Sequence, residues 1–369
     1  MTAGKEIAGF TLPFAAGAVL SAIYSSVSSP HAALCTLMII VSICLLILIK
    51  PPQTDHRNDI LWISVILSAF SCGAICSISS KWLAISFHSD SNPLLTYAST
   101  WGNRLKEHIN TLPFAHNQSS ALINSLITGD RSDLDNHTRE IFRSSGASHI
   151  LALSGMHLGI IYGILKSVLA ILGNSPKVKI LKSCLIMSTC LFYTLMTGAG
   201  PSIIRSFIFI LLYEFAKISG RGVKTGEVLM SALIIQITIC PEDILEVSFI
   251  LSYAAMAGIA FIYPMLKRIW TTDSCGVVYK ALKWIWASAA MSISCQVTTG
   301  PIAYAFFGTF PKYFILTNLL AAPLIGLIIP WSLAVAGLSS IGLCPALLIS
   351  GLELTIQTLI GILEIISSL

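Results

Sequence analysis

Residues 313–338 read YFILTNLLAAPLIGLIIPWSLAVAGL. No charged side chain interrupts them. About twenty apolar residues cross a bilayer as a helix, so this stretch reads as a membrane span. It also holds Pro323 and Pro330. Proline removes a backbone N–H and kinks a helix. Inside lipid such a break survives only where protein or a water-filled cavity satisfies the freed backbone. The stretch therefore predicts a helical membrane protein in which some spans are broken or re-entrant.

The rest of the chain agrees. Of its 369 residues, 55% are apolar and 11% charged. Mean hydropathy is +0.81. Soluble domains carry about 25% charged residues. Such a composition excludes a cytosolic enzyme, a disulfide-stapled secreted domain and a disordered tail. Ten cysteines show no CxxC and no zinc spacing, and most lie in apolar runs, so they read as packing residues. The expected fold class is all-α, a polytopic bundle of about eleven membrane segments. They are 9–28, 32–49, 60–80, 149–172, 180–197, 202–218, 226–240, 246–266, 281–300, 313–338 and 346–367.

Basic residues gather in alternate loops. Lys50 and Arg57 mark one, and Lys177, Lys179 and Lys182 the next. Lys217, Arg221 and Lys224 follow, then Lys267, Arg268, Lys280 and Lys283. Between them, residues 198–201 are uncharged, and Glu242, Asp243 and Glu246 are acidic. The positive-inside rule makes the basic loops cytoplasmic. A cytoplasmic N-terminus is expected, with residues 81–148 and the C-terminus outside. Three regions follow: residues 1–80 with three spans, a small extracytoplasmic cap at 81–148, and a core at 149–369. Charges in the cap balance, and residues 119–143 read as amphipathic helix of the kind that lies in the interface plane.

Polar groups in lipid are expensive and ask for a reason. Ser154 and His157 stand at i,i+3 in His149–Ile150–Leu151–Ala152–Leu153–Ser154–Gly155–Met156–His157–Leu158–Gly159. Packing with hydrogen bonding, lining of a polar path, and catalysis are three readings of that pair. One-helix spacing disfavours a nucleophile–base pair, and no GxSxG or HExxH motif occurs. Gly155 and Gly159 have the spacing that lets helices approach closely. Thr197, Gly198 and Pro201 form a tight turn before Ser202 and Arg205. Arg205 reads equally as a structural anchor and as a substrate contact. Ser248 and Ser252, then Gln296, Pro301, Gly308, Asn318 and Pro323, complete the set. Glu353 and Glu364 remain as carboxylates able to hold a proton or cation.

The ordered motifs resemble the ComEC family of bacterial DNA-uptake channels. Gly129–Asp130–Arg131–Ser132 leads through Phe142–Arg143–Ser144–Ser145–Gly146 to His149 and the Ser154–His157 block. Tyr193 to Gly198 and Pro201 to Arg205 form a second block, and Val247 to Tyr253 a third. Gln296 to Pro301, Phe306 to Gly308 and Asn318 to Pro323 form the fourth. The resemblance implies a conduit for one DNA strand across the inner membrane, without cofactor, metal or catalytic residues. Ser154, His157, Thr197, Ser202, Arg205, Ser248, Ser252, Gln296 and Asn318 would line it. Gly129, Asp130, Gly146, His149, Gly155, Gly159, Gly198, Pro301, Gly308 and Pro323 would shape it. Implied partners are single-stranded DNA, the lipid bilayer, a DNA-receptor protein, a cytoplasmic translocase ATPase and a separate nuclease. No Walker A motif and no HxHxDH pattern occurs, so a bare channel core is expected. Ile250 stands where the family pattern has Gln. A transporter of a small molecule or lipid is the alternative, since fold does not fix function.

Overall fold

The computed structural model describes residues 3–23, 37–41, 43–44, 57–87, 93–173, 175–220, 222, 224–270, 276–308, 310–343 and 345–369. Among these residues the secondary structure is entirely helical. The helices are α1 (Ala3–Ile23), α2 (Arg57–Phe87), α3 (Pro93–Asn110), α4 (Asn117–Ile127), α5 (Asn136–Ser144), α6 (Ser148–Leu151) and α7 (Gly155–Leu169). Then come α8 (Pro176–Met196), α9 (Pro201–Ile218), α10 (Thr225–Ile239), α11 (Val247–Ala257), α12 (Tyr263–Lys267), α13 (Val277–Phe307), α14 (Phe314–Ser340) and α15 (Ala346–Ser367).

Among the described residues, six helical stretches are long and apolar enough to cross a membrane: Ile60–Ile78, Gly155–Leu172, Pro176–Met196, Val247–Lys267, Phe314–Ser340 and Ala346–Ser367. Gly9–Ala22 and Thr225–Ile239 are apolar but shorter. α9 misses the mark because it carries Arg205, Glu214 and Lys217. Most of the expected span 32–49 lies outside the described residues. The span expected at 149–172 begins at Gly155, because residues 152–154 leave the helix between α6 and α7. A π turn at Gly258–Ile262 precedes Pro264, which stands in the first turn of α12. Pro301, Pro323 and Pro330 instead sit inside continuous helices.

The chain divides into two compact units. The first comprises residues 1–90 and 222–260. Here α1 and α2 meet at glycines. A Cβ on Gly17 would lie 1.9 Å from the Phe70 carbonyl oxygen, and one on Gly73 1.9 Å from that of Phe14. Only glycine permits such an approach of two backbones. Phe14, Ala18, Ala69, Ile237 and Phe249 fill the core beside them. Gln236 is buried and donates to Asp243 at 3.2 Å while accepting from the Tyr253 hydroxyl at 3.0 Å.

The second unit comprises residues 91–221 and 261–369. α14 and α15 form an antiparallel hairpin whose turn uses Gly342 at φ 71°. α3 to α6 pack along that hairpin, and the two share one core of Leu122, Leu126, Phe142, Ile325, Ile328, Leu352 and Ile356. Residues 119–143 thus fall in two helices, α4 and α5, packed on that hairpin. Residues 121–127 of α4 are buried on every face. The polar Asn124 in that run donates through Nδ2 to Asn110 at 2.8 Å, while its buried Oδ1 has no hydrogen-bond partner among the described residues.

Cross-links hold this segment down. Glu353 of α15 accepts from the backbone N–H of His116 at 2.8 Å and of Ala115 at 3.1 Å, and lies 2.9 Å from His116 Nδ1. The carboxylate caps the free N–H groups that open α4. Glu353 is thereby engaged by Ala115 and His116. Thr317 donates to the Ser145 carbonyl at 2.7 Å, and the Tyr193 hydroxyl to that of Ile127 at 2.7 Å. α7, α8 and α9 form a three-helix layer around Leu158, Ile186, Cys190 and Ile203.

Candidate functional site

The break before α7 places the Ser154–His157 pair. Ser154 is the N-cap, and its Oγ accepts from the Met156 N–H at 3.3 Å. His157 lies one turn in, and its Nδ1 accepts from the Ser154 backbone N–H at 3.2 Å. This is a capping box with histidine in the place of the usual Glu or Gln. The accepting role of Nδ1 puts the ring proton on Nε2. His157 is 0% exposed, and its Nε2 has no hydrogen-bond partner in the structure. Ser154 Oγ also lies 3.2 Å from Nδ1. As a hydrolase pair the two lack a third group to orient the base, and Nδ1 is already engaged by the backbone.

Two further groups stand close by. His149, in α6, is exposed and stands close to the Gly146 backbone and the Asn318 side chain. Arg131 donates through Nε to the Leu151 carbonyl at 3.0 Å. Both lie within electrostatic reach of His157. Glycines shape this end. Gly129 and Gly146 both have φ 80°. A Cβ on Gly129 would come 2.2 Å from the Leu153 side chain, and one on Gly146 2.7 Å from Pro311.

α7 and α9 run parallel in one register, since Gly155 faces Ser206 and Tyr162 reaches Glu214. Their N-termini therefore lie at the same end of the layer, where helix dipoles favour anions. Thr197, Gly198 at φ 82° and Ala199 at φ 50° turn the chain into α9, with Pro201 at the first position as expected. The Thr197 hydroxyl bonds back to the Tyr193 carbonyl at 3.0 Å. Ser202 is half-buried, and its carbonyl accepts from the Ser206 hydroxyl at 2.9 Å. Arg205, 1% exposed, heads the largest fully buried side chains.

The remaining wall and shaping residues are spread over α7, α11, α13 and α14. Gln296 folds back along α13 against Gly300, beside the Phe310 ring. Gly159 has open space over it. Pro301 continues α13, and Gly308 ends it in a left-handed cap at φ 66°. Pro323 lies within α14. Ser248 and Ser252 belong to the first unit, with Ser248 exposed and donating to Glu246 at 3.3 Å.

One cluster escaped sequence reasoning. Glu214, 0% exposed, accepts from the Tyr162 hydroxyl at 2.7 Å and from Ser183, and Lys217 lies 3.3 Å away. It ties α7, α8 and α9 together at the end remote from Ser154. The i,i+3 pair of Glu214 and Lys217 was the available signal.

Helices able to cross a membrane, with polar groups kept among them, define a multi-pass membrane protein. A sequence profile of the Competence protein family matches residues 126–369, and the chain belongs to that family. ComE operon protein 3 of Bacillus subtilis (strain 168) is 23% identical over 154 residues, covering 42% of this chain and 20% of that protein. The uncharacterized protein YcaI of Escherichia coli (strain K12) is 26% identical over 213 residues, covering 56% and 27%. The matched stretch thus spans about a quarter or less of either relative. No solved structure matches.

Proposed function

We propose that the protein is an inner-membrane channel that passes single-stranded DNA into the cytoplasm during natural transformation. Family membership over residues 126–369 carries the reading. A migrating strand bears one negative charge per nucleotide and needs cationic and hydrogen-bonding walls. The parallel N-termini of α7 and α9, the buried Arg205 and the exposed His149 are of that kind. The protein binds and guides the strand and does no chemistry on it. A separate ATPase drives transport, a receptor delivers DNA, and a separate nuclease removes the other strand. The basic loops face the cytoplasm, so DNA meets the Ser154 end first.

Two measurements test this. Arg205→Ala is expected to reduce uptake of labelled DNA more than Arg205→Lys, with membrane insertion intact. Equal uptake by all three versions removes Arg205 from the path. Reporter tags at residue 223 should read as cytoplasmic and at residue 243 as external, and the reverse pattern overturns the orientation.

A further inference from the structure

The charges between residues 130 and 149 balance closely in the sequence but separate in the fold. Asp130 and Asp133 both take Lys106, at 2.6 and 3.0 Å. Asp135 caps α5 through the Thr138 N–H at 3.0 Å and accepts from Gln118 at 2.9 Å. Glu140 lies 3.7 Å from Arg143. These carboxylates are thus engaged. Arg131 and Arg139 are exposed, and neither forms a salt bridge among the described residues. Each is fixed through backbone carbonyls. Arg131 Nε donates to Leu151, and Arg139 donates to the Arg131 carbonyl. That arrangement leaves guanidinium N–H groups for an outside acceptor.

They sit beside the break between α6 and α7. His149 is exposed there, and the buried Nε2–H of His157 lacks an acceptor. Two oriented guanidinium groups, a solvent-open histidine and a helix N-terminus make an anion site. We propose that Arg131 and Arg139 form an entry subsite for the phosphodiester backbone of the incoming strand. The inference rests on the channel reading for the identity of the anion. It gives the outer segment the electrostatic attraction that its charge count conceals.

The test uses the full chain in lipid nanodiscs and a fluorescein-labelled oligothymidylate, titrated between about 50 and 200 mM salt. Joint Arg131→Gln and Arg139→Gln substitution is expected to weaken binding about tenfold or more and to lower the log–log salt slope by about 1.4, at about 0.7 per phosphate contact. Joint substitution by Lys should keep the slope. Wild-type affinity and slope in the Gln protein, or no binding by the wild type, overturns the subsite. Equal loss in the Lys and Gln proteins also overturns it, because the arginines would then serve only to hold Leu151 and the Arg131 carbonyl. Uptake measured in parallel separates the two claims. Unchanged binding in the Gln protein with uptake still dependent on the gene removes the subsite and leaves the channel. Lost binding with uptake independent of the gene keeps the anion site and removes the channel.

Discussion

The α7–α9 layer treats its buried polar atoms differently at its two ends. At the Glu214 end a carboxylate is surrounded by donors from three helices, Tyr162, Ser183 and Lys217. At the Ser154 end the buried His157 Nε2–H has no acceptor among the described residues. Satisfied networks rigidify, whereas buried donors without partners carry a cost that a ligand can offset. The first end is a fastener that fixes α7 and α9 in parallel register. The second is what the fastener holds in place, two helix N-termini facing one way.

Removing the fastener should have the largest effect. Glu214→Ala leaves the Tyr162 and Ser183 hydroxyls stranded among buried groups, a loss of about 3 kcal/mol. Glu214→Gln, which keeps an acceptor, should lose less than half of that. Thermal unfolding in detergent micelles checks both, and equal losses would deny the acceptor role. Next comes Gly129→Ala. Its φ of 80° and the Leu153 side chain 2.2 Å from the new Cβ predict about 2 kcal/mol. DNA binding should fall with it if Leu153 moves the start of α7. Ser154→Ala removes a helix cap, at about 1 kcal/mol, and uptake should largely persist. Complete loss of function with the fold intact would revive a nucleophile at Ser154.

The smallest effect is a pH dependence. The Lys106 ammonium beside Asp130 holds that carboxyl down at about 2. A carboxyl depressed below its unfolded value contributes stability above about pH 4. That contribution is lost as pH falls through 2. Because Asp130 is 39% exposed, solvent screening limits it to a few tenths of a kcal/mol. Lys106→Gln should flatten the acid limb of stability, and added salt should do the same to the wild type.

Much of this was legible in the sequence. Helix class followed from runs such as 313–338, and the turn at Gly198 with Pro201 opening α9 from local chemistry. The place of residues 119–143 was not, because an amphipathic pattern does not say whether its polar side meets water or Asn110. Glu353 looked like a cost without a reason because its partners, Ala115 and His116, lie far away in the chain. The backbone contact at Gly17 and Gly73 gave no periodic signal, since Gly73 is the lone glycine of α2 and Gly17 stands eight residues from the preceding glycine of α1, Gly9. Charge counting hid Arg131 and Arg139, because a sum over residues cannot show which carboxylates Lys106 removes.

The most direct test follows labelled DNA into the cytoplasm in a clean deletion strain of the source organism, with and without the wild-type gene restored. The account predicts that the deletion abolishes entry and transformation and that the restored gene recovers both. Undiminished entry in a deletion strain shown to be competent would contradict it and leave a Competence-family fold with another cargo.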